Sequence, residues 1–220
     1  MADHTPTTIA FLHTAAVHVA TFDGLLDDLG YHGTRTHKVM PELLDHAREL
    51  GLDYVRAKVL AVLASLATAD AVVCTCSTIG PLADTLAATH PHIFRIDRPV
   101  MEAACQTGPD VMVALCLHST QGPTLDLLQD CAAQAGRAVR PHVVLCADAW
   151  PLFEQGDHTA FAARIATTIR AALAEGPMPD CILLAQASMR AAASLLQDLG
   201  VPVLSSPALA AERAIAIAGR

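Results

Sequence analysis

Apolar residues along this chain follow two rhythms. Short β-branched or wholly apolar runs alternate with longer stretches whose apolar positions recur every three or four residues, and these periods separate strands from helices. Thr8–Leu12, Ala71–Cys74, Val111–Leu117, Val143–Cys146, Cys181–Leu184 and Val201–Leu204 read as buried strands. Leu52–Ala67 carries apolar residues at 52, 55, 59, 60, 62, 63 and 66, the stripe of an amphipathic helix. Helices are also predicted over Pro81–Thr89, Thr124–Ala135, Thr159–Ala174, Ser188–Leu199 and Ala208–Ala218. Pro81 falls in a first turn, where its missing N–H costs nothing, and Gly136 and Gly200 stand where helices stop. Strands alternating with such helices require crossover connections, so the predicted fold class is α/β with parallel sheets. His37-Lys38-Val39 and Tyr31 read as a loop, and Asp97-Arg98-Pro99 as a turn whose guanidinium could reach a carboxylate.

The two halves resemble each other. Ala10-Phe-Leu-His-Thr14 matches Leu115-Cys-Leu-His-Ser119, each running into a His-hydroxyl pair ahead of a helix. Asp70-Ala-Val-Val-Cys-Thr-Cys-Ser-Thr78 matches Asp180-Cys-Ile-Leu-Leu-Ala-Gln-Ala-Ser188. Two matches in the same order at nearly the same spacing point to a duplicated unit. The expected organisation is a first α/β lobe over residues 1–100, with a terminal helix 208–220 packing back on it, and a second lobe over 101–207. Ligands of such folds bind at the carboxyl ends of the strands, so an active cleft is expected between the lobes.

Composition narrows the function classes. At 53% hydrophobic the 220-residue chain can offset its conformational entropy by burial, so it is not disordered. Its longest unbroken apolar stretch, Val111–Leu117, is far short of a membrane span. A net charge of −8 with 14 scattered basic residues argues against nucleic acid as a partner. The start, MADHTPTT, lacks the basic and apolar regions of a secretory signal, and the seven cysteines are expected as reduced thiols in a cytoplasm. The 11 histidines form no HExxH and Cys74-x-Cys76 is not a zinc spacing, so no metal is expected. Alanine-rich helices leave room for a homo-oligomer.

The sharpest chemistry lies in Cys74-Thr-Cys-Ser-Thr-Ile-Gly-Pro81, a buried strand running into a helix start. Backbone N–H groups of a first helical turn attract an anion, and the same positive end favours thiolate at Cys76. Ser77 and Thr78 can donate hydrogen bonds to a carboxylate, while Cys74, deeper in the strand, is expected in the core. Each hydroxyl could equally be an ordinary helix cap.

Cys76-Ser-Thr78 after a first-lobe strand resembles the Cys-Asn-Thr triplet of the aspartate/glutamate/hydantoin racemase superfamily. Leu184-Ala-Gln-Ala-Ser-Met189 lies where that family has its second motif, Leu-Gly-Cys-Thr or Leu-Gly-Cys-Ala-Gly-Met. The resemblance implies two α/β lobes, no cofactor, a small carboxylate substrate, and carboxylate contacts from Thr14, Ser119 and Thr120; Ser77, Thr78 and Ser188 are further hydroxyl donors expected to stabilise the charge that develops there. It also implies proton transfer at the carbon next to the carboxylate, with Cys76 as acid and base. The family's racemases use two cysteines, one on each face of that carbon. Here the second position is Gln186, which hydrogen-bonds but does not exchange protons as a thiolate does. His13, His118 and Cys116 are the candidates to replace it. A single-cysteine lyase of the arylmalonate decarboxylase type is an alternative, although its cysteine occupies the second-lobe position. A non-catalytic carboxylate-binding relative is another.

Overall fold

The computed structural model describes residues 7–219. These divide into two compact units, one running through Ile96 and including the segment from Pro207, the other Asp97–Ser206. In the first unit β1 (Thr8–His13), β2 (Thr34–Val39), β3 (Ala71–Cys74) and β4 (Ile93–Arg95) form a parallel sheet ordered β2-β1-β3-β4. Its helices are α1 (Val17–Asp28), α2 (Glu42–Leu50), α3 (Leu52–Leu66) and α4 (Gly80–Ala87), with α9 (Ser206–Ala218) at the end of the chain. In the second unit β5 (Asp110–Leu115), β6 (Arg140–Leu145), β7 (Cys181–Leu184) and β8 (Val203–Ser205) repeat that order as β6-β5-β7-β8. Its helices are α5 (Arg98–Thr107), α6 (Gln121–Gln134), α7 (Trp150–Glu154) and α8 (His158–Glu175). The fold is α/β, two parallel sheets of four strands flanked by helices.

The central strands β1, β3, β5 and β7 are buried on both faces, so their near-continuous apolar runs were legible as strands. The edge strands were not. β2, Thr-Arg-Thr-His-Lys-Val, alternates exposed and half-buried positions and forms a strand where a loop was expected. β6 begins at Arg140 and holds Pro141, tolerated because an edge strand leaves one row of N–H groups unpaired. Asp97-Arg98-Pro99 is no turn but the start of α5, with proline in the first turn. The segment read as a helix over 188–199 is a three-ten helix from Ala187 to Leu199, closed by Gly200 at φ 72°.

The two sheets carry the same hydrogen bonds at equivalent places. Asp70 accepts from the Thr8 N–H at the foot of the first sheet, and Asp180 accepts from the Asp110 N–H in the second. Thr75 N donates to Leu12 O as Ala185 N donates to Ala114 O, and Met40 N to His13 O as Cys146 N to Leu115 O. Pairing therefore makes Cys76 equivalent to Gln186, as the motif alignment has it. It makes Thr14 equivalent to Cys116, so the counterpart of His13 is Leu115 and the sequence match to His118 was displaced by three positions. Among the described residues no helix is long and apolar enough to cross a membrane.

Candidate active site

In the first unit Leu12 pairs with Cys74, so the chain leaves β1 and β3 side by side at the carboxyl edge of the sheet. Thr14 follows β1; Cys76, Ser77 and Thr78 follow β3; all four are buried. Cys76 belongs to the same hydrophobic cluster as Leu12, Ile79 and Leu82 yet keeps 8% of its surface open, whereas Cys74 has none. Expected in the core, Cys74 is there. Its thiol faces the Cys76 carbonyl at 3.9 Å. Pro81 in the first turn of α4 donates nothing, and no side chain caps that helix. The backbone N–H groups of Cys76 and Thr78, and those of Thr14 and Ala15, find no acceptor among the described residues. The hydroxyls of Thr14 and Thr78 have none either, so neither serves as a helix cap. A thiol, two hydroxyls and four backbone donors thus share one sheet edge, a constellation suited to holding a carboxylate and moving a proton.

Beside this loop lies Arg95, a cation that no sequence motif marks and that the pairing of β4 with β3 sets next to Cys74. The Arg95 side chain is 3% exposed, pairs with Asp84 at 3.1 Å, and its guanidinium lies against Gly80 at the start of α4. Arg98 instead ties α5 to α6 through Asp130 at 3.1 Å, a contact within the second unit.

The second unit's strand ends differ in kind. Gln186 Oε1 accepts from the backbone N–H groups of Cys116 and Leu117, at 2.5 and 3.2 Å. Two donors on one atom fix which prong of the carboxamide is oxygen. The amides that stay open at Thr14 and Ala15 in the first unit are therefore closed here by a side chain. The Gln186 NH2 group has no acceptor among the described residues and remains a pure donor. Thr120 donates its hydroxyl to Leu117 O at 2.7 Å, so its proton is committed to closing the turn and cannot go to a carboxylate. Ser119 is exposed and Ser188 half-buried, neither capping a helix.

Two of the three candidates for a second acid or base fail on local grounds. Cys116 is 2% exposed and packs against Cys146; burial pushes its thiol far above the usual range, so it stays protonated at neutral pH. Burial likewise pushes Cys146 up to about 11 and Cys131 up to about 12. His13 is wholly buried with both ring nitrogens engaged, Nδ1 with Thr75 Oγ1 at 2.8 Å and Nε2 with His37 Nδ1 at 2.9 Å. Burial first, then the neighbouring His18 and His37, lower its pKa to about 3. His118 is exposed, at the start of the short turn after β5. All seven cysteines are free thiols, and no three His, Cys, Asp or Glu residues among those described are grouped to hold a metal.

Glutamate racemase RacE1 of Bacillus anthracis superposes with a TM-score of 0.72 at 17% identity, covering 97% of this chain and 82% of that one. Aspartate racemase of Picrophilus torridus gives 0.68 at 14% identity, covering 97% and 94%. Unliganded arylmalonate decarboxylase gives 0.61 at 17% identity, covering 98% and 94%. At such identities these likenesses are of fold. No curated protein sequence matches the chain. The family model for Asp/Glu/Hydantoin racemase matches residues 34–214, most of the chain, and the protein belongs to that family.

Proposed function

We propose that the protein is a cofactor-independent racemase or isomerase of a small carboxylate, amino-acid-like or hydantoin-like, with Cys76 as the acid and base at the carbon next to the carboxylate. The observation that carries this reading is the first unit's sheet edge: Cys76, buried but for 8% of its surface, beside backbone N–H groups of Thr14, Ala15, Cys76 and Thr78 that have no acceptor of their own among the described residues. Those amides, with the hydroxyls of Thr14, Ser77 and Thr78, hold the carboxylate. Removing the neighbouring proton sends the electron pair into the carboxylate and leaves an enediolate. The same donors stabilise that charge, each removal costing about 2.7–4 kcal/mol of barrier. The Cys76 thiolate takes the proton and the thiol returns one. Ser119 and Ser188, at the strand ends of the second unit, are given no part in that contact, and Thr120 is left out because its hydroxyl is spent.

A second reading is favoured by one observation, the pinned Gln186. Its carboxamide donates but carries no exchangeable base, so the two-thiol racemase mechanism lacks a partner. In a lyase, loss of CO2 generates the same enediolate, and a single thiol delivers the one proton required. Arylmalonate decarboxylase, similar in fold, makes that chemistry a natural comparison.

The test is a panel of amino acids, hydantoins and disubstituted malonates incubated with the protein in D2O. Deuterium entering the α-carbon without CO2 supports the racemase or isomerase reading. Deuterium entering only with CO2 release assigns the lyase. Neither process with any panel member would overturn both.

A further inference from the structure

Four side chains run hydrogen-bonded from the surface of the first unit to the loop that carries Cys76. Asp23 Oδ1 lies 3.2 Å from His37 Nε2, His37 Nδ1 lies 2.9 Å from His13 Nε2, and His13 Nδ1 lies 2.8 Å from Thr75 Oγ1. Thr75 Oγ1 is also 3.0 Å from Leu12 O. Exposure falls inward, from 40% for the Asp23 side chain to 13% for His37 and none for His13. The parallel register sets His37 beside Phe11, two residues from His13 on the same face of β1. The rings of Phe11, His13 and His37 stack within 12° of parallel, and Phe22 of α1 packs against Phe11 and His13.

Protons can fill this chain in two ways. With both imidazoles neutral, the Thr75 hydroxyl donates to His13 Nδ1, His13 Nε2–H to His37 Nδ1, and His37 Nε2–H to Asp23. With one more proton, His37 carries both ring protons and donates to Asp23 and to His13 Nε2. The single ring proton of His13 then sits on Nδ1 and is donated to Thr75, whose own O–H turns to Leu12 O. The balance is one proton taken from water onto His37, and one ring proton moved from Nε2 to Nδ1 of His13. Placing the added proton on His13 is opposed by burial and by the two neighbouring histidines.

We propose that Asp23, His37 and His13 are positioning residues for the Cys76 loop, and that proton uptake by His37 reverses the chain and turns the Thr75 hydroxyl from His13 to the Leu12 carbonyl. This rests on the proposed function for the role of Cys76, but not for the reversal itself. The groups facing the chain are few. From α1, Asp23 faces His37 and His18 faces His13, their rings 6.1 Å apart. Arg35, on the same strand as His37, reaches the Asp23 carboxylate at 3.6 Å and pairs with Asp27. Lys38 alternates to the other face of β2, and among the described residues of β3 and its following loop the chain meets the uncharged Thr75.

Nitrogen-15 NMR of the imidazole rings across a pH titration of the full chain tests the reversal without any substrate. His13 Nδ1 is expected to change from acceptor to N–H in step with protonation of His37, and Asp23→Asn to displace both changes together. A single His13 tautomer throughout, or a change independent of His37, would overturn the proposal. Alkylation of Cys76 by iodoacetamide, read by peptide mass spectrometry, tests the link to the loop. Its pH profile is expected to shift in Asp23→Asn by the displacement that NMR shows for His37, and an unshifted profile would overturn the coupling. Loss of turnover on every carboxylate would leave both readouts intact, so failure of the functional reading is distinguishable from failure of this one.

Discussion

Acid should weaken this protein well before its carboxylates titrate. His13 and His18 are buried, and burial lowers their pKa values from 6.5 to about 3 and about 4. Both groups bind protons more readily in the unfolded chain, so the stability they contribute is complete above pH 6.5 and drains away as pH falls toward their folded values. By proton linkage each costs about 2 kcal/mol at pH 5, about 4 kcal/mol together, rising to about 6 kcal/mol near pH 4. A domain holding about 5–15 kcal/mol in all would feel that loss. Carboxylates paired with arginine do not confuse the window: Asp110 with Arg140 and Asp198 with Arg170 are held below the usual carboxylate range, so their contribution is lost at lower pH. Urea unfolding at a series of pH values measures the effect, and His18→Phe, which keeps an aromatic ring on α1, should remove about half of the slope between pH 7 and pH 5. A wild-type midpoint flat over that interval, or a slope that His18→Phe leaves unchanged, would refute the reasoning.

Other variants probe the strand ends. Gln186→Leu strands the N–H groups of Cys116 and Leu117 and should cost about 2–3 kcal/mol, with faster hydrogen exchange at those two amides; Gln186→Glu, which keeps an acceptor, should cost less. Gly80→Ala places a Cβ 3.0 Å from Arg95 Nε and should cost about 1–3 kcal/mol by thermal unfolding. Gly122→Ala in α6 meets nothing within 4 Å and serves as its control, expected to be neutral or stabilising by about 1 kcal/mol.

Burial decided what the sequence made legible. Strands covered on both faces, such as Ala71–Cys74 and Cys181–Leu184, show a short, wholly apolar, β-branched or leucine-rich run bounded by polar residues, which is what separates them from the longer apolar pattern of α3. The edge strand Thr34–Val39 buries little, so its signal is alternation among polar residues and it passed for a loop. The duplication was visible at Asp70 and Asp180 because both carboxylates perform one backbone task, anchoring the neighbouring strand. It misled at His13 and His118, where a repeated dipeptide outweighed strand register. Cys76, Ser77, Thr78 and Gln186 stood out because their motif is contiguous. The His13–His37–Asp23 chain did not, since it is assembled from β1, β2 and α1 and no spacing along the chain announces it. Arg95 was hidden for a similar reason: only the pairing of β4 with β3 brings it beside the loop.

The central claim is that one thiol, Cys76, handles the proton at carbon. On whichever carboxylate the D2O panel identifies, kcat for Cys76→Ser measured beside Cys74→Ser tests it most directly. The account predicts a fall of about 10²–10⁴-fold for Cys76→Ser, the usual worth of a positioned acid or base, with a far smaller change for Cys74→Ser. Turnover by Cys76→Ser at the wild-type rate would contradict it.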